Sequence, residues 1–81
     1  LKQEHCRGNM FSSWHMCSTT RMGKREDQGA VVDTDFRVRG IQNLRVADLG
    51  ILPLVPNNHT QSTAYLVGET AAEKLIAEYG L

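Results

Sequence analysis

The last third of the chain carries the tightest constraint on its fold. From Ala64 onward the apolar positions Ala64, Val67, Gly68, Ala71, Ala72, Leu75, Ile76 and Tyr79 return every three or four residues, and Glu69, Glu73, Lys74 and Glu78 fall largely opposite. Such spacing gathers on one face only in a helix. Thr60 and Ser62 are the capping candidates at its start. Gly80, directly after the last apolar position, marks its end, because glycine enters the left-handed conformation without a Cβ penalty. The small residues Gly68, Ala71 and Ala72 would let this helix lie close against a sheet.

Upstream the period shortens to two. Ala30-Val31-Val32-Asp33, Phe36-Arg37-Val38-Arg39 and Leu44-Arg45-Val46-Ala47 predict short strands joined by turns. Ile51 to Pro56 is apolar but twice interrupted by proline, which lacks the amide hydrogen of a ladder, and so predicts a buried, extended linker. Gly23 to Gly29 is a charged, glycine-bounded loop. Met10 to Met22 mixes Phe11, Trp14, Met16 and Cys17 with five Ser and Thr, which suits extended structure or a buried irregular turn. Leu1 to Asn9 is polar and turn-prone. These segments predict an α/β chain with short strands and one C-terminal amphipathic helix.

Length and charge exclude several functions. An 81-residue chain buries only a marginal core, and its opening at Leu1 reads as a cut inside something longer. Nine Lys and Arg balance nine Asp and Glu without a basic run, which removes the footprint of a nucleic-acid binder. No stretch approaches the roughly 18 apolar residues of a membrane-spanning helix. The compartment stays open. Cys6 and Cys17 are compatible with a disulfide, a metal site or free thiols.

Two histidines stand in chemically suggestive places. His15 lies among apolar and hydroxyl side chains, where a structural role competes with a catalytic one. His59 falls between a proline-bounded segment and a helix start, where open amides and the positive dipole end suit an electron-rich ligand group; helix capping is its plain alternative. His5, Cys6, His15 and Cys17 are of the right kinds for tetrahedral zinc, although their spacing is unusual for it. Cys17 beside His15 forms a nucleophile and base pair in which nothing orients the base.

The joint pattern goes further than any single residue. His15-x-x-Ser18-Thr19-x-Arg21-Met22-Gly23, Val32-Asp33, Phe36-Arg37-Val38-Arg39-Gly40, Asn43 to Asp48, Pro53, His59-Thr60 and Gly68-Glu69-x-Ala71-Ala72 closely resemble the C-terminal signature of glucose-methanol-choline oxidoreductases. The resemblance covers about residues 11 to 79. It departs at Ser18, where the family usually has glycine, and at Thr20, where it often has cysteine. His59 stands where many members carry asparagine, so the chain resembles the His/His subset of aryl-alcohol and glucose oxidases.

The resemblance implies a fragment of an FAD-binding, Rossmann-like domain within an FAD-dependent alcohol oxidase or dehydrogenase. Residues 1–29 would close the substrate domain and carry an active-site segment, and residues 30–81 would end the FAD-binding domain. His15 would accept the alcohol proton while hydride leaves the same carbon for flavin N5, a task suited to imidazole, which as a class titrates near ~6.5. His59 would hydrogen-bond the substrate oxygen. Asp48 and Leu49 would approach the cofactor pyrophosphate or ribityl chain, and Thr60 and Gln61 the isoalloxazine edge. The family's Gly-x-Gly-x-x-Gly turn is absent from these 81 residues, so the remainder of the FAD domain is an expected partner beside the alcohol. A non-catalytic truncated remnant and a small metal-binding module are the competing readings.

Overall fold

The computed structural model describes residues 2–81, and its order of elements is helix α1 (Lys2–Gly8), a 3-10 turn (Leu49–Ile51) and helix α2 (Thr60–Tyr79). The body is elongated, 59 × 27 × 17 Å, with a radius of gyration of 16.4 Å. A compact chain of this length would have about 12 Å.

Helix α1 corrects the turn-prone reading of the first nine residues. Lys2, Gln3, Glu4 and Arg7 are good helix formers, and the Asn9 side chain closes the end by donating to the His5 carbonyl at 2.8 Å. No residue of α1 is buried. At seven residues it is too short to be stable from propensity alone.

Helix α2 matches its predicted span. Gly80 adopts φ 68°, ψ 33° and donates to the Ile76 carbonyl at 2.9 Å, as expected of a left-handed cap. The start differs: His59, rather than Thr60 or Ser62, holds the N-cap position, and its side chain makes no capping bond. The inward stripe is also narrower than the periodicity suggests. Val67 and Ala71, four residues apart on one face, are the buried pair, whereas Tyr65, Leu66, Ile76 and Tyr79 are exposed.

The predicted strands do not form. Three isolated bridges take their place: Met22 with Val32 in parallel, and Val32 with Val38 and Arg37 with Arg45 in antiparallel pairing. The alternating runs are broken by local turns. Asp33 Oδ1 accepts from the amides of Asp35 (2.8 Å) and Arg37 (3.0 Å), and Phe36 sits at φ 65°. Gly40 (φ 77°) and Asn43 (φ 60°) then reverse the chain. The short strands of a Rossmann-like domain are therefore absent from the described residues, and the expected α/β class reduces to helices joined by bridged loops.

A small core holds these loops to α2. Val32, fully buried, meets Phe36, Ile51, Val67 and Ala71, with Met22, Val31, Val38, Val46 and Leu52 packed partly against them. α2 contacts the 3-10 turn. The proline-interrupted segment is buried only at its start: Ile51 is in the core, but Leu54 is 81% exposed and Val55 is also exposed. Met10, Phe11, Trp14 and Met16 are exposed as well, so of the two readings of Met10 to Met22, extended structure or a buried irregular turn, the buried one fails over its first half.

The charged loop Gly23–Gly29 is held from two sides. The Arg39 guanidinium donates to the carbonyls of Gly23 (2.9 Å), Lys24 and Asp27. Arg21 and Asp27 form an ion pair. Hydrogen bonding from Arg21 holds the Asp27 carboxyl below the usual carboxylate range, and the same contact raises Arg21.

Candidate active site

Three amides of the stretch that follows His15 tie it to the 3-10 turn. Ser18 donates to the Leu49 carbonyl (3.3 Å), Thr20 to Gly50 (3.0 Å) and Met22 to Ile51 (2.7 Å). Every second amide of one segment thus meets consecutive carbonyls of the other. Gly50 permits the close approach: a Cβ there would stand 2.6 Å from Thr20 Oγ1 and 2.7 Å from Asp48 Oδ1. Thr20 Oγ1 is buried in this contact with no hydrogen-bond partner.

His15 lies three residues ahead of the first of these bonds and is exposed. The backbone around it is unusual. Trp14 (φ 55°) and Ser18 (φ 71°) are both left-handed, a region costing about 1–2 kcal/mol for a residue with a Cβ. Ser18 stands where the resemblance places glycine, so the conformation that glycine accommodates freely is kept here by serine at a cost. Trp14 is 76% exposed.

Asp48 caps the 3-10 turn, its Oδ1 accepting from the Gly50 amide at 2.7 Å. This is the plain role of a turn residue. Among the described residues the amides of Asp48 and Leu49 carry no hydrogen bond, which leaves two donors at the exposed edge of the turn. A carboxylate beside them disfavours a second anion and suits a hydroxyl-bearing chain better than a pyrophosphate.

His59 is exposed at the start of α2, with Thr60 half-buried and Gln61 exposed beyond it. Because the imidazole does not cap the helix, first-turn amides stay open for an electron-rich group. Asn58 and Ser62 bond to each other across the junction (3.3 Å). Neither His15 nor His59 makes a side-chain hydrogen bond among the described residues. Both histidine-bearing segments adjoin the 3-10 turn, the first through its amides and the second through α2. The donor set on these elements, open amides and free imidazoles, fits the polar edge of a flavin.

The sequence pattern marked Ser62 only as a capping candidate and Thr20 only as a departure from the resemblance, and gave no warning of Gly50 and Asn58. The one available signal was Asp48-x-Gly50, a turn spacing. A cavity of about 560 Å³ lies elsewhere, between the 37–45 loop and the end of α2, and neither histidine lines it. Arg37, Arg45, Glu78 and Tyr79 occupy its wall, already paired with one another. No group of three His, Cys, Asp or Glu gathers among the described residues, and both cysteines are free, so the tetrahedral zinc reading finds no geometry. No described helix is long and apolar enough to cross a membrane.

The family model described as GMC oxidoreductase matches residues 2–68, and the chain belongs to that family. It is 44% identical over 70 residues to patulin synthase of Aspergillus clavatus, covering 86% of this chain and 11% of that protein. Against the oxygen-dependent choline dehydrogenase of Rhizobium rhizogenes it is 38% identical over 72 residues (89% and 13%). Against the 5-(hydroxymethyl)furfural oxidase of a Methylovorus species it is 36% identical over 76 residues (94% and 14%). The chain therefore spans 11% to 14% of the length of these relatives.

Proposed function

We propose that this chain is the C-terminal portion of an FAD-dependent alcohol oxidase or dehydrogenase of the His/His type, with residues 1–29 bordering the substrate and residues 30–81 the flavin. The observation carrying this reading is that one family match spans His15, the Asp48–Leu49 turn and His59 together. The names of two relatives contain hydroxymethyl and choline, both alcohols.

His15 takes the hydroxyl proton on a ring nitrogen as the carbon–hydrogen bond breaks. FAD, when bound, supplies the hydride acceptor at flavin N5. His59 donates to the substrate oxygen and orients it, and its lack of a capping bond leaves its ring free for this. With FAD bound, the amides of Asp48 and Leu49 would hold its ribityl chain, and Thr60 and Gln61 its isoalloxazine edge. Met10, Phe11, Trp14, Leu54, Val55 and Leu66 are exposed, and the remainder of the FAD domain is the surface that would cover them.

The test has two arms. The 81-residue chain titrated with FAD should show weak uptake or none; tight stoichiometric binding would contradict the need for further segments. In the complete flavoprotein, His15→Ala should retain flavin yet slow its anaerobic bleaching by alcohol by about 10²- to 10⁴-fold. Bleaching at the parental rate sinks the mechanism.

A further inference from the structure

A cap residue ordinarily turns its side chain back onto an amide two or three residues on. His59 sits at the cap of α2 without doing so. Neighbouring side chains tie the junction instead. Asn58 Nδ2 donates to Ser62 Oγ (3.3 Å), Thr63 Oγ1 donates to Asn58 Oδ1 (3.5 Å), and Ser62 Oγ donates to the His59 carbonyl (3.2 Å). The His59 backbone is thereby bracketed at φ −64°, ψ 123°, and both ring nitrogens stay unused.

From this clasp we infer that Asn58 and Ser62 are positioning residues for His59: they fix the backbone from which the imidazole projects without consuming its nitrogens. The inference rests on His59 being the partner of the substrate oxygen. An imidazole that acts by orientation needs its point of attachment held closely, because a displacement of about 1 Å costs up to 10²-fold in rate. Stability and positioning separate cleanly at Ser62. It occupies the third position of α2, where alanine is the better helix former, and its exposed bonds contribute little to folding.

The test uses the complete flavin-loaded oxidoreductase with Asn58→Ala, Ser62→Ala, Ser62→Thr and His59→Ala. Asn58→Ala and Ser62→Ala should each lower kcat about tenfold, with KM changed less than about twofold. The flavin spectrum should be unaltered, and Tm unchanged or raised for Ser62→Ala. Ser62→Thr, which keeps the hydroxyl, should restore kcat. In the His59→Ala background neither clasp substitution should have a further effect. If His59→Ala slows turnover while both clasp variants run at the parental rate, the clasp has no positioning role and the assignment of His59 survives. If kcat and Tm fall together and Ser62→Thr fails to rescue, the clasp is structural and the inference is overturned. If His59→Ala itself leaves kcat unchanged, the underlying reading falls and the inference with it.

Discussion

The guanidinium of Arg45 lies 5.7 Å from the centroid of the Tyr79 ring and donates to its hydroxyl at 3.3 Å. Arg45 also pairs with Glu78, which Arg37 meets at 2.9 Å, and Lys74 reaches Asp35 at 2.6 Å. Residues 35–45 are thus tied to the last two turns of α2 mainly by charge and one aromatic face.

Arg45→Lys keeps the charge but loses the planar fork that serves Glu78 and Tyr79 together. Its thermal midpoint should fall slightly below that of the parent in low salt. The gap should narrow in 1 M NaCl, where the Debye length is about 3 Å. A gap that widens with salt would contradict the electrostatic account.

Ser18→Gly should stabilise the chain by about 1 kcal/mol, because glycine meets φ 71° without the left-handed penalty. Urea unfolding followed by circular dichroism measures this. A midpoint lower than the parent's would mean that the Ser18 contact with Cys17 (3.5 Å) matters more than the backbone.

Gly50→Ala places a methyl against Thr20 Oγ1 and Asp48 Oδ1 and should cost about 1–3 kcal/mol. Thr20→Ala in the same chain removes one of those atoms, and with it a buried hydroxyl that has no partner. The double variant should therefore recover part of the loss. Strict additivity of the two changes would show that the contact is not what resists the methyl.

Acid should loosen the loops before it affects α2. The Asp27 carboxyl is lowered chiefly by hydrogen bonding from Arg21, and Asp35 chiefly by hydrogen bonding from Lys74. A depressed carboxyl stabilises the fold fully above its unfolded value of ~3.9 and loses that contribution as pH falls through the lower folded value. Resonances of the 21–29 loop should shift below about pH 4, while Asp27→Asn, having no carboxylate to titrate, should flatten that response. Loss near neutrality would point to other groups.

Helix α2 was legible because Val67 and Ala71 repeat at the helical interval and Gly80 stops the helix. The bridged loops were less so. Their alternation predicted strands, of which only the bridges Val32–Val38 and Arg37–Arg45 form, because the Asp33 turn and the left-handed Phe36 interrupt each run before a ladder can extend, and neither is visible as a pattern. Burial was misjudged at Leu54, since hydrophobicity predicts that a side chain will be covered and not which surface covers it. At the site, His59 was placed correctly at the helix start by its proline-bounded approach. The clasp of Asn58 and Ser62 depends on side-chain rotamers, to which spacing is blind.

The rungs between Ser18–Met22 and Leu49–Ile51 have a kinetic consequence for His15. Amide exchange should be slow at Ser18, Thr20 and Met22, whose hydrogens are held by the turn, and fast at residues 15–17, whose amides carry no such bond among the described residues. A ligand that engages His15 must still that short tether, at about 1–2 kcal/mol of ordering entropy per residue. A surface that immobilises it beforehand therefore tightens binding without touching the ligand.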